Sequence, residues 1–224
     1  MAIFCYLCCM RNLLKTLTVL ALLASCSART GWTQWEKTVI DRSDSVMYVC
    51  VMPEDSAILR ASSVDFGQKE LASPELQTLL AKMYRTLTDP SQDGVGIAAP
   101  QIGINRRLIM VMRYDKPDKP IEPYLNIRID SLLGQKVPGP EGCLSLPPLR
   151  GTVQRYPKVQ ISYLKADGTP VSEQVEGYSA IIFQHECDHL DGILYTDRAD
   201  TVYVNESWAA EREQFSYQKP TWWQ

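Results

Sequence analysis

Both histidines of the chain fall in one five-residue window, His185-Glu186-Cys187-Asp188-His189. Four residues apart on a helix, two imidazoles project from one face about a turn from each other and can share one metal ion. Glu186 then lies within reach of a water on that metal, as a general base for hydrolysis needs. Taken alone, the pattern reads as a zinc protease. Such proteases take a third ligand, His or Glu, from the C-terminal side. Glu206 and Glu211 are the downstream candidates.

A thiolate upstream offers another third ligand. Cys143 stands in "EGCLSLP" (141–147), where Gly142 lets the backbone come close. Thiolate suits zinc or ferrous iron, and binding keeps it deprotonated. The competing reading of Cys143 is a small buried hydrophobe. Cys187 lies between the two histidines, points away from their shared face and reads as core. "DGVGIAAPQIG" (93–103) has the glycine spacing of a dinucleotide loop, but it follows a helix, carries Pro100 where a new helix needs hydrogen bonds, and lacks a phosphate-binding lysine. It reads as a loop that lays its backbone along a substrate, with Gln101 as an amide donor.

The elements that must hold these residues follow from periodicity. Ser73 and Pro74 open a helix over about 74–89, with Leu76, Leu79, Leu80, Met83, Tyr84 and Leu87 at helical spacing. Strand patterns occupy 46–52, 106–113, 123–129 and 158–165, the last running into a hairpin turn at Asp167-Gly168. Helical spacing returns at Tyr178, Ile181, Ile182 and His185, and Gly192 ends that helix. Strands between two separated helices make the fold class α+β.

A length of 224 residues, 45% hydrophobic, fits one domain with extensions. The net charge of −3, without a long basic run, excludes nucleic acid as a partner. No stretch of 18 apolar residues is present, which excludes a spanning helix in the body. Residues 1–26 read as a signal peptide: Arg11 and Lys15 precede the apolar run Leu17–Ala24, and Leu23-Ala24-Ser25-Cys26 resembles a lipobox. That resemblance implies a lipidated Cys26 and a lipoprotein anchored in the membrane and facing the periplasm, with Met10 a second possible initiator; the competing readings are an ordinary signal peptide or an overextended start, and the alternative location is the cytoplasm. Four of the seven cysteines lie in this leader, and Cys50, Cys143 and Cys187 form no disulfide framework. Residues 27–45 read as a polar tether, 46–200 as the catalytic domain, and 201–224, ending in "TWWQ", as a tail without chemistry.

"GVGIAAPQ" (94–101), "EGCLS" (141–145) and "QHECDH" (184–189), in this order, resemble the peptide deformylase family over roughly residues 46–200. The resemblance implies antiparallel β-sheets packed around a central C-terminal helix that carries His-Glu-x-x-His. It implies that Cys143, His185 and His189 bind one divalent ion, Fe(II) first, with Zn(II) or Ni(II) as substitutes. Metal-bound hydroxide would attack the formyl carbonyl of an N-formylmethionyl peptide, with Glu186 as general base and Gln101 and the Leu144 N–H as oxyanion donors. Val95, Gly96 and Ile97 would pair with the peptide as an added strand. Glu141 and Arg150 are grouped with the substrate-binding positions as supports of the metal-cysteine segment. Tyr178, Ile181 and Ile182 would line the methionine pocket; their competing reading is helix core, and Tyr178 is bulkier than the leucine common there. The leader and the aromatic tail depart from the family pattern. Two other functions compete: an exported zinc endopeptidase on the same helix, and a catalytically idle, membrane-anchored binder of formyl peptides.

Overall fold

The computed structural model describes residues 31–92, 94–206 and 219–223; the leader, with its lipobox and Cys26, lies outside the described residues. The helices are α1 (Gln34–Arg42), α2 (Ser56–Leu59), α3 (Gln68–Leu71), α4 (Pro74–Leu87) and α5 (Tyr178–Leu190). The strands are β1 (Gly96–Ala98), β2 (Leu108–Met112), β3 (Ile121–Leu133), β4 (Val137–Gly142), β5 (Leu149–Arg155), β6 (Lys158–Leu164), β7 (Pro170–Glu176) and β8 (Ala199–Val204). They form two antiparallel sheets, β1-β2-β3-β6-β7 and β4-β5-β8. This is the α+β arrangement expected, with α5 packed on the larger sheet. No described helix is long and apolar enough to cross a membrane.

β2 explains why "LIMVM" is apolar without interruption. Successive strand side chains point to opposite faces. Leu108 and Met110 enter a core shared with α1 and α4, whereas Ile109 and Val111 enter a second core beneath α5. In α4, Leu76, Leu79, Leu80, Met83 and Leu87 are buried, as their spacing requires, while Tyr84 is exposed. Ser73 has the extended backbone of an N-cap but does not cap with its side chain; its hydroxyl donates to the Glu70 carbonyl instead. The turn at Asp167-Gly168 joins β6 to its return strand β7, and Gly168 has φ 83°.

Three expectations are corrected. Residues 46–52 form no strand, although Met47, Val49 and Cys50 are buried. Their amides go to separate partners, Cys50 N–H to the Gln101 carbonyl and Met52 N–H to the Ser145 carbonyl, so no ladder develops. The tether expected over 27–45 contains α1, started by a capping box of Thr33 and Glu36, with Val39 and Ile40 buried. Trp35, Val39 and Ile40 make a stripe too short to stand out from a polar segment, and α1 is docked by the bond of Glu36 to Arg106, 70 residues away in sequence. The tail is part of the fold as well. Its start completes β8, which pairs with β5, and Trp223 packs edge-on against Trp35 and Tyr48 in the first core.

Candidate active site

α5 places the two histidines, and a hairpin brings the thiol to them. Gly192, with φ 71°, ends the helix against the Arg60 backbone, where a Cβ would lie 2.3 Å from the carbonyl oxygen. Gln184 ties the helix to Tyr156, accepting its N–H at 3.0 Å and donating to its carbonyl at 2.8 Å. β4 and β5 pair through Glu141↔Gly151 and Gly142↔Arg150, and the loop between them presents Cys143. The Cys143 Sγ lies 3.2 Å from His189 Nε2. One donor atom from each of Cys143, His185 and His189 falls within 4.8 Å of the others, a group that could hold a metal ion. The donor chemistry fits such an ion: two imidazoles and a thiolate leave room for water in a fourth position.

The surroundings set the protonation of each group. His185 Nδ1 is 2.8 Å from Glu141 Oε2, which leaves Nε2 for a metal. Burial works against charge on Glu141, but hydrogen bonds from His185 and Arg155 hold its pKa at about 2. Burial likewise opposes ionisation of Cys143, yet the charges of His189 and His185 bring its thiol down to about 5. Burial disfavours an imidazolium at His185, but Cys143 and Glu141 hold its pKa well above 6.5. Glu186 goes the other way. Burial lifts its carboxyl to about 7 against the pull of the two histidines, and its Oε2 has no hydrogen-bond partner.

A cavity of about 300 Å³ opens beside these atoms. Val95, Gly96, Gln101, Leu144 and Glu186 line it, as do Tyr178, Ile181 and Ile182 on the first turns of α5. Gln101 is fixed at both ends of its amide: Oε1 accepts the Ala98 N–H at 2.8 Å, and Nε2 faces Cys143 Sγ at 3.5 Å and Ser145 Oγ at 3.3 Å. Gly96 lies against Glu186, where a Cβ would be 2.5 Å from Oε1. Tyr178 is half-exposed and meets the ring of Tyr114 edge-on, so its bulk stands at the rim.

Several expected positions are sorted differently. The pairing expected of Ile97 uses its backbone alone; strand alternation turns its side chain into the first core, where it is fully buried. Only its backbone lies on β1, the end strand of its sheet. Glu141 and Arg150 both line the cavity, but Glu141 reaches His185, and the bracing arginine is Arg155. Glu206 is exposed and outside the metal-binding group; Glu211 lies outside the described residues. Cys187 is buried in the core beneath α5, and burial pushes its thiol well up.

Sequence reasoning did not find Arg155, Asp188, Ser145 or Tyr195. Asp188 could have been noticed as a charge inside a helix whose other faces are needed for core and ligands. Tyr195, whose ring stacks on His185 at 6.0 Å, carries no local signal.

The polypeptide deformylase family profile matches residues 46–204. Peptide deformylase of Leptospira biflexa is 38% identical over 148 residues, covering 63% of this chain and 82% of that protein. Among solved structures, the class I type b peptide deformylase of Acinetobacter baumannii with Met-Ala-Ser bound superposes with a TM-score of 0.62 at 38% identity, over 68% of this chain and 99% of the other. The Thermotoga maritima peptide deformylase gives 0.59 at 31%, over 69% and 99%. A thiol and two histidines around one point, a buried glutamate beside them, and these relatives agree: the chain belongs to the peptide deformylase family.

Proposed function

We propose that this chain cleaves formyl-methionyl peptides with one divalent ion held by Cys143, His185 and His189. Removal of the N-terminal formyl group from nascent peptides is its activity, which makes it a hydrolase of protein biosynthesis. The ion we assign is Fe(II), with Zn(II) or Ni(II) able to replace it, because one soft thiolate with two imidazoles suits all three. Such an ion polarises the formyl oxygen and acidifies a water.

The chain's own residues do the rest. Glu186 takes a proton from the attacking water and passes it to the departing amine, so that the C–N bond of the formamide breaks and formate and a free amino terminus leave. Gln101 Nε2 donates to the oxygen that gains charge, and the Leu144 N–H is the second donor. Val95, Gly96 and the Ile97 backbone accept the peptide along the open edge of β1. Ile181 and Ile182 receive the methionine side chain, with Tyr178 at the rim. The observation that carries these roles is Glu186 itself, buried with an unpartnered Oε2 beside Cys143 and both histidines. Met-Ala-Ser in the Acinetobacter structure supports the peptide class.

The decisive experiment combines anaerobic purification, metal analysis and formate release from formyl-Met-Ala-Ser. The expected result is turnover that depends on metal and is lost with the metal in Cys143→Ser. Metal retained in Cys143→Ser but lost in Glu206→Gln overturns this in favour of an endopeptidase. Peptide binding without turnover by the iron-loaded protein makes the chain an idle binder.

For location we propose a lipidated Cys26 and a periplasm-facing enzyme, with a cytoplasmic protein as the alternative. The charged start, short apolar run and lipobox support this. Mass spectrometry of the mature amino terminus tests it: a diacylated Cys26 is expected, and an unprocessed terminus overturns it.

A further inference from the structure

His185 is tied to Glu141, and Glu141 begins a run of buried ion pairs that leads away from the cavity. Arg155 donates to Glu141 through Nε at 2.8 Å and Nη2 at 3.1 Å. Its remaining Nη1 donates to Asp188 Oδ2 at 2.6 Å. Asp188 also accepts Arg198, through Nε at 2.7 Å on Oδ2 and Nη2 at 2.8 Å on Oδ1. The side chains of Glu141, Arg155 and Asp188 are 6%, 5% and 12% exposed, whereas Arg198 is 46% exposed. Arg198 lies in the wall of a second, polar cleft of about 600 Å³, which shares no lining residue with the first.

The geometry makes the run one linked unit. Arg155 divides one guanidinium between two carboxylates, Nε and Nη2 to Glu141 and Nη1 to Asp188, so its orientation is set from both sides. Arg198 fixes the far end by binding both oxygens of Asp188. Without it, Asp188 keeps only the Arg155 Nη1 donor, and its shift carries the Arg155 guanidinium and with it Glu141. Glu141 Oε2 accepts both from Arg155 and from His185, so its displacement turns the imidazole. Partners of this kind orient a metal-binding histidine.

We propose that Arg198 is a positioning residue for His185, acting through Asp188, Arg155 and Glu141 from outside the cavity. This rests on Cys143, His185 and His189 holding a metal. Arg60 is a built-in control. It bonds to Asp197 and to the Gly192 carbonyl, bracing the same turn without touching Asp188.

The test loads each purified protein with zinc and follows its transfer to an excess of chelator, alongside formate release and thermal unfolding. Arg198→Ala is expected to lose zinc at least about tenfold faster than the parent, the size typical of lost supports of a metal ligand. Arg198→Lys, which keeps the charge on one nitrogen but loses the two-pronged fork, falls between them, and Arg60→Ala stays at the parent rate. Asp188→Asn accelerates release as well, and the double variant with Arg198→Ala is no faster than the faster single one, because both lie on one path. Parent-like release by Arg198→Ala, or equal acceleration by Arg60→Ala, overturns the proposal. A parent protein that retains no zinc, iron or nickel overturns the metal site itself, and the proposal with it.

Discussion

Glu186 keeps a carboxylate almost out of water with one oxygen unsatisfied, a state that only a reaction makes useful. Replacing it with glutamine keeps the volume and removes the base. Formate release should then fall at least about 100-fold, with metal content unchanged on elemental analysis. Gly96 is bound to the same carboxylate by space, since a Cβ there meets Oε1 at 2.5 Å. Gly96→Ala should displace Glu186 and lower kcat/KM by about 100-fold, the effect expected of a misplacement of about 1 Å at a reacting group. A parent-like kcat/KM in that variant would show that the carboxylate has room to move. The role proposed for Glu186 comes from His-Glu-x-x-His. The need for glycine at 96 is not, because the atom that forbids a side chain stands 90 positions away.

At the scale of elements, the first described helix and the last described tryptophan hold the frame around the site. α1 is docked by Glu36 on Arg106, whose guanidinium is fully buried and also meets Glu70. Glu36→Gln leaves Arg106 short of one carboxylate and should cost about 3 kcal/mol in denaturant unfolding. The pH dependence has a definite sign. Burial raises the Glu36 pKa, but its bonds from Arg106 and Thr33 prevail and set it below 4.5. Its contribution is therefore complete above pH 4.5 and lost as pH falls through the lowered value. The parent should lose thermal stability more steeply on acidification than Glu36→Gln. At the other end Trp223, 5% exposed, fills the space over Gly103 between Trp35 and Tyr48. Trp223→Ala should destabilise by about 3–5 kcal/mol in the same measurement; an effect below 1 kcal/mol would mean that the C-terminal segment rests on the core without holding it.

For the whole molecule, metal and protons compete for one set of atoms. Without metal, the neighbouring imidazoles lower the Cys143 thiol to about 5 and Cys143 and Glu141 raise His185 well above 6.5, which favours a thiolate beside an imidazolium. A metal ion must displace the His185 proton. About one proton should be released per ion bound near pH 7, and affinity should fall as pH is lowered. Calorimetry in buffers of different ionisation enthalpy measures the proton directly. Removing the metal should also lower the unfolding temperature, because the ion binds the folded chain and the unfolded one has no such site.

What the sequence alone determined is what short-range order carries. The spacing of His185 and His189, the stripe along α4, the turn at Asp167-Gly168 and the motif around Cys143 all lie within a few residues, where helix and turn geometry are fixed by local chemistry. Cys143 could be chosen as a ligand only as one of two readings, because 46 residues separate it from His189. The tertiary structure decided the rest. It put Ile97 in the core, made the expected tether into α1, and assigned Glu141 to Arg155 and His185 across 14 and 44 residues. Such partners are selected by where sheets and helices pack, and by the requirement that a buried charge find an opposite one. That requirement acts through space, so it leaves no period along the chain.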